Sequence, residues 1–135
     1  MKISKNFTLE EMTASATAKA RGISNNPGQT DIVNLCGLVH NVLQPLRNWW
    51  GKEVKIGSGY RSLALNRAVG GVSNSQHMKG EAADLCIDGD IQKGKSWFQY
   101  IKQGGAGRGV TAAGLSAARI RPDRVRVPRV AVSAA

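Results

Sequence analysis

The sequence has no apolar run near the roughly 20 residues that a membrane-spanning helix needs, so no membrane span is predicted. Residues 1–12 contain two lysines but no apolar segment behind them, which predicts synthesis in the cytoplasm without a signal peptide. There are only two cysteines, Cys36 and Cys86, and neither lies in a CxxC spacing. We therefore expect two free thiols that pack as small apolar groups. A disulfide is possible, but without an exported context nothing supports it.

Acidic residues are also scarce, and the 135-residue chain carries a formal net charge of +10. Residues 104–135 contain six arginines and a single acid, Asp123, with no Lys, His, Glu or aromatic residue. Arg and Val alternate there in a way that could mimic a strand, but prolines interrupt the pattern. We predict a poorly ordered tail that attracts polyanions non-specifically. Without aromatic residues for base stacking, specific nucleic-acid binding is not expected.

Residues 1–103 have the composition of one small domain, and their N-terminal half predicts helices. Thr8 and Glu11 form a capping box at the start of a helix over about 9–20. A second, amphipathic helix is capped by Thr30, and Pro45 should kink or split it near Gln44. Its apolar residues recur at helical spacing: Ile32, Leu35, Val39, Val42, Leu46 and Trp49.

The second half of this domain predicts two strands among short helices. Residues 53–58 alternate apolar and polar side chains and run into a glycine turn, and residues 82–88 read as a second strand. Helices are expected over 62–69 and 90–103, with Asp90 as the cap of the latter. The predicted fold class is α+β, with N-terminal helices packed on a small antiparallel sheet.

The stretch SNSQHMKGEAADL, residues 73–85, contains His77 and, seven residues later, Asp84. Gly80 lets the backbone reverse, so that the imidazole and the carboxylate can converge. Both groups are good Zn²⁺ ligands. On these residues alone, a hydrogen bond between the pair is a more common arrangement than a metal site.

The surrounding motifs extend this pattern. GSGYRS, LNRAVGG and SNSQHMKGEAAD follow one another within about 30 residues, and Ser75, His77, Gly80, Ala82 and Asp84 fill the pattern S-x-H-x-x-G-x-A-x-D. Residues 1–103 therefore resemble the M15 family of zinc D-Ala-D-Ala carboxypeptidases. The resemblance implies a hedgehog/DD-peptidase-like fold.

The resemblance also implies roles for four residues. His77 and Asp84 correspond to two of three protein ligands of a catalytic Zn²⁺, Arg61 to the residue that binds the terminal carboxylate of the substrate, and Ser75 to a hydroxyl that contacts substrate. A planar guanidinium suits the Arg61 role, because it forms bidentate, charge-assisted bonds with a carboxylate. Without the resemblance, Arg61 could be a solvated surface arginine and Ser75 a turn residue.

The sequence departs from the family after Gln103. The family places an acidic general base and an aromatic-x-His third ligand there, but no His or Glu follows residue 103. His40 is predicted to face away from the apolar stripe, and Cys86 lies one pleat step, about 6.6 Å, beyond Asp84. Neither is expected to replace the third ligand, and no catalytic base is assigned. We predict that the last strands of the fold are missing or replaced, and we hypothesise a frame-shifted tail, which the alternative reading frames of the gene would reveal.

The function implied by the resemblance is zinc-dependent hydrolysis of peptidoglycan stem peptides at the cell wall, of the D-Ala-D-Ala carboxypeptidase type. Without the third ligand, weak zinc binding and impaired hydrolysis are expected. Two alternatives stay open: an L,D- or D,D-endopeptidase, and a non-catalytic peptidoglycan-binding remnant. The sequence does not indicate the oligomeric state.

Overall fold

The computed structural model describes residues 1–103, the backbone of residues 119–121, and residues 124–127. The helices are α1 (Leu9–Thr13), α2 (Ala16–Arg21), α3 (Gln29–Leu38), α4 (Gln44–Trp50), α5 (Leu63–Ala68) and α6 (Ile91–Lys102). The strands are β1 (Ile56–Ser58), β2 (Ala83–Cys86), β3 (Arg119–Arg121) and β4 (Arg124–Val127). A π-helical turn (Val39–Leu43) joins α3 to α4, and a 3₁₀ turn (Gln76–Lys79) precedes β2.

The four strands form one antiparallel sheet in the order β1-β2-β4-β3. Strand β2 is therefore paired on both sides. Its neighbour β1 contains an irregularity between Ile56 and Ser58, whereas β2 and β4 pair continuously, with Ala83 opposite Val127 and Cys86 opposite Arg124. The predicted α+β class is confirmed, and the doubly paired β2 provides a rigid support for Asp84.

Part of the arginine-rich tail belongs to this sheet. The prediction of a tail without strands is wrong for residues 119–121 and 124–127, which form β3 and β4. The burial of Val125 and Val127, at 0% and 2% exposure, explains why: the Arg/Val alternation gives β4 an apolar face that covers the core. Residues 104–118, 122–123 and 128–135 lie outside the described residues, so the order of the remaining tail stays a prediction.

The N-terminal helices are shorter than predicted. The helix expected over 9–20 is interrupted at Ala14, because the Ser15 hydroxyl accepts a hydrogen bond from the Ala18 amide (3.2 Å) and caps a new helix, α2. Thr8 caps α1 as predicted, accepting a bond from the Glu11 amide (3.2 Å). Helix α3 begins after Gly28 rather than Thr30.

The predicted kink near Gln44 is present as the π-helical turn. Pro45 has no amide hydrogen, so the regular α-helical bonding cannot continue through it, and the wider turn absorbs the mismatch. His40 lies exposed on this turn, as its position on the helical wheel predicted.

The core lies between the sheet and the helices α3, α4 and α6. Trp97 of α6 is fully buried in it. Trp49, predicted to face the core, is 50% exposed and stacks on Tyr100 with ring centroids 4.5 Å apart. The other core residues include Phe7, Met12, Leu35, Leu38, Val39, Val42, Leu43, Leu46, Leu85, Ile87 and Ile101. Neither cysteine is in a disulfide, as expected, although both are half-buried rather than buried. None of the helices in the described part of the chain has the length and apolar character needed to cross a bilayer.

Candidate active site

The loop from Ser75 to Asp84 brings the predicted ligands together. The Ser75 hydroxyl accepts a bond from the His77 amide (3.2 Å) and caps the 3₁₀ turn that carries the imidazole. Gly80 then adopts the left-handed conformation (φ +73°), which reverses the chain toward β2 and Asp84. A Cβ at Gly80 would collide with the carbonyl oxygen of Asp31. Only glycine fits this position, which explains on steric grounds why the motif has a glycine there.

His77 is fully buried, and its ring is held at one nitrogen. Its Nδ1 lies 2.6 Å from the carbonyl oxygen of Gly59; since a carbonyl can only accept, Nδ1 carries the hydrogen. Its Nε2 faces Asp84 Oδ2 at 3.6 Å and has no hydrogen-bond partner among the described residues. A nitrogen lone pair that faces a carboxylate oxygen without a bridging group is unfavourable, so this gap suits a bound cation.

The separation between these two atoms fits a shared metal ion. Ligands bound to Zn²⁺ at about 2.0–2.1 Å with tetrahedral angles lie about 3.3–3.4 Å apart, close to the 3.6 Å between His77 Nε2 and Asp84 Oδ2. The hydrogen bond from Nδ1 to a backbone carbonyl is also the usual outer contact of a metal-binding histidine. His77 and Asp84 thus fit one edge of a zinc coordination sphere.

Arg61 and Ser75 lie next to this pair. Arg61 Nη2 donates to Ser75 Oγ (3.2 Å), and the Arg61 amide donates to the His77 carbonyl (3.0 Å). Arg61 is half-buried, and its Nε has no hydrogen-bond partner in the described parts of the chain. The structure therefore brings together all four predicted site residues, and Arg61 keeps a buried donor available for an acceptor.

Asn25 fixes the segment that carries Arg61, a role that the sequence did not indicate. Its Nδ2 donates to the carbonyls of Thr13 (2.8 Å) and Tyr60 (3.1 Å), and its Oδ1 accepts from the Ser62 amide (2.7 Å). These bonds hold the backbone on both sides of Arg61. The ISNNPGQT segment reads only as a loop, because the partners of Asn25 are distant in sequence.

Two arginines of β4 also reach the site, and sequence reasoning missed both. Arg124 Nη1 donates to Asp84 Oδ2 at 3.3 Å, and Arg126 Nε lies 3.6 Å from Asp84 Oδ1. The second distance is an ion pair without a hydrogen bond, and both of its atoms are buried and unbonded within the described residues. Two guanidinium groups therefore share the carboxylate that was predicted to bind metal.

Burial and the charges around Asp84 and Arg61 shift the pKa values of both side chains. Burial alone would raise the pKa of Asp84, but the proximity of His77 and the charges of Arg124 and Arg126 bring it below its ordinary value. Burial lowers the pKa of Arg61; the negative charge of Asp84 opposes this change, and the charges of Arg126 and Arg124 add to it. The ionised carboxylate is thus the favoured form of Asp84.

Two adjoining cavities of about 280 and 290 Å³ open onto these residues. Arg61, Asp84 and Arg124 line both, while Arg126 and Ser75 line the second. Within the described residues, four of the six buried polar side-chain atoms that lack a hydrogen-bond partner belong to this site: Arg61 Nε, His77 Nε2, Asp84 Oδ1 and Arg126 Nε. Unsatisfied buried polar atoms are rare in folded proteins, so their concentration here indicates a ligand-binding site.

The described residues contain no third metal ligand next to His77 and Asp84. No group of three His, Cys, Asp or Glu side chains suited to a metal occurs within residues 1–103 and 124–127. His40 is exposed on the π-helical turn, and Cys86 Sγ donates to Asp88 Oδ1 (3.0 Å). Asp123 lies outside the described residues. The two donors therefore fall one short of the three protein ligands of a catalytic zinc site.

Comparison with known proteins agrees with the motifs. Residues 5–112 match the peptidase M15 family. The zinc D-Ala-D-Ala carboxypeptidase of Streptomyces albus G is 50% identical to the chain over 44 residues, which are 32% of this chain and 17% of that relative. The match thus spans less than a fifth of the length of this curated relative. Because the family match covers most of the sequence, the chain belongs to the peptidase M15 family, whose members are metallopeptidases.

Proposed function

We propose that this chain binds the D-Ala-D-Ala end of peptidoglycan stem peptides at the cell wall and is a zinc-dependent carboxypeptidase with impaired turnover. The observation that carries the proposal is the 3.6 Å approach of His77 Nε2 to Asp84 Oδ2, with Arg61 beside it. When bound, zinc would polarise the scissile carbonyl and activate water. His77 and Asp84 would hold the ion.

Arg61 gives the site its preference for a chain end. Its guanidinium lines both cavities, and Ser75 Oγ orients it through the 3.2 Å bond. A carboxylate that entered the cavity would meet a fixed, partly desolvated cation, which binds more strongly than a solvated one. This supports a carboxypeptidase over an endopeptidase, since an internal peptide bond offers no terminal carboxylate.

Impaired turnover follows from the missing parts of the site. The described residues provide two metal ligands instead of three, and the sequence from residue 104 to residue 135 contains neither His nor Glu. A weakly held metal occupies the site only part of the time, and without a positioned base the attacking water keeps its proton. Substrate binding through Arg61 needs neither component.

Release of D-alanine from a pentapeptide stem, measured with added zinc and with chelator, tests this function. We expect slow release that chelator abolishes and that His77→Ala removes. His40→Ala is the matched control, because His40 is the other histidine of the sequence and is exposed on the π-helical turn. Release that persists in chelator, or that survives His77→Ala, would contradict the assignment of the site.

A non-catalytic peptidoglycan-binding role is the second candidate, and the contacts of Arg124 and Arg126 with Asp84 favour it. These cations lie where a metal would need the carboxylate. A pull-down on purified peptidoglycan in the presence of chelator separates the two functions. Retention that is lost in Arg61→Ala, without D-alanine release under any condition, would establish binding alone.

A further inference from the structure

The arginines of β4 give the second cavity a charge that the proposed function does not use. Arg61, Arg124 and Arg126 line it together with a single acid, Asp84. The charged residues that line this cavity are one carboxylate and three guanidinium groups, which sum to +2. A site of this kind attracts anions, because excess positive charge in a partly desolvated cavity is only weakly screened.

Unsatisfied donors indicate where an anion would bind. Arg61 Nε and Arg126 Nε are buried without a hydrogen-bond partner among the described residues, and both side chains line this cavity. Arg126 is 33% exposed and Arg124 is 38% exposed, so each touches solvent as well as Asp84. Guanidinium groups bind oxyanions in a bidentate manner. An oxyanion that entered this cavity would meet Arg61 together with the two arginines of β4.

We propose that Arg61, Arg124 and Arg126 form a metal-independent binding site for a dianionic oxyanion, and that Arg124 and Arg126 hold Asp84 in place of a metal ion. The anion site and the replacement of the metal ion by arginines are linked. Because the arginines neutralise Asp84, a divalent cation must compete with them for the carboxylate, whereas an anion is attracted by the charge that remains. The two arginines of β4 therefore weaken the affinity of the site for cations and strengthen its affinity for anions.

Titration calorimetry with inorganic phosphate in chelator tests the anion site. We expect saturable 1:1 binding, tighter than that of the monoanion acetate, and a loss of roughly tenfold in affinity in the variant Arg124→Gln/Arg126→Gln. Arg126→Lys, which keeps the charge but not the planar fork, should lose less. Arg21→Gln is the control for net charge, since Arg21 is exposed at the end of α2.

A separate titration with zinc alone tests the competition. The double variant should bind zinc more tightly than the wild type, because it frees Asp84, while its phosphate affinity falls. An unfolded variant would lose affinity for both zinc and phosphate. A rise in zinc affinity together with a fall in phosphate affinity therefore cannot arise from misfolding. Phosphate binding that is equal in wild type and double variant, or that appears only with zinc, would overturn the inference. D-alanine release does not enter either titration, so this inference and the proposed function can fail separately.

Discussion

Asp84 and Arg126 lie directly opposite each other on neighbouring strands, and Arg126 Nε is 3.6 Å from Asp84 Oδ1. The pairing places a fixed cation against a residue that the family motif assigns to zinc. It results from the register of β4 on β2, because each side chain of one strand faces its cross-strand partner. The character of the site therefore depends on a strand that lies outside the family motif.

Zinc should bind weakly, and through His77. Calorimetric titration of the wild type should give low affinity, which falls by at least about tenfold in His77→Ala because half of the available donor set is lost. His40→Ala should bind zinc as the wild type does. Tight 1:1 binding that His77→Ala abolishes would mean that a third ligand lies outside the described residues.

Gly80→Ala should destabilise the fold more than an alanine at another left-handed glycine. Gly51 has a similar φ of +75° but no atom within 4 Å of an added Cβ, so Gly51→Ala should cost roughly 1–2 kcal/mol for conformation alone. At Gly80 the collision with the Asp31 carbonyl should add about 1–3 kcal/mol. Chemical denaturation of both variants measures the difference, and equal losses would show that the close contact with α3 is absent.

Asn25→Ala should weaken peptide binding, although we do not expect Asn25 itself to contact the peptide. The substitution removes the two bonds that fix the backbone on both sides of Arg61 and a third bond to Thr13, at a cost of roughly 1–3 kcal/mol in unfolding free energy. The affinity for a peptide with a free terminal carboxylate should fall with it. Asn26→Ala is the control, because Asn26 is exposed and bonds only locally to Ser24 Oγ. Unchanged peptide affinity in Asn25→Ala would contradict this positioning role.

Val125→Ala tests whether the tail is part of the folded domain. Val125 is fully buried on β4, so shortening it should lower the unfolding free energy by about 1–3 kcal/mol. Val33→Ala removes the same atoms from a side chain that is 63% exposed and should change stability by no more than about 0.5 kcal/mol. Equal effects of the two substitutions would mean that β4 does not pack on the core.

The convergence of His77 and Asp84 could be predicted from the sequence because it is local. Seven residues separate them, and one glycine permits the reversal. The order of the motifs likewise indicated the family, and the proline near Gln44 indicated the irregular helix.

The arginine contacts could not be predicted in the same way. Arg124 and Arg126 reach Asp84 across 40 or more residues, and a shift of β4 by one residue would have turned both to the other face. The alternation of Arg and Val was visible, but alternation alone does not identify the partner strand. Asn25 was missed for a related reason, since nothing in its own segment indicates which backbone groups it binds.

The backbone connects the two halves of the site. His77 Nδ1 donates to the Gly59 carbonyl and the Arg61 amide donates to the His77 carbonyl, so main-chain groups fix the imidazole relative to the segment that carries Arg61. The bond from the Arg61 amide to the His77 carbonyl involves no side chain, so it does not depend on the identity of either residue. The proposed zinc site and the proposed carboxylate site can therefore be altered one at a time by substitution of a single side chain.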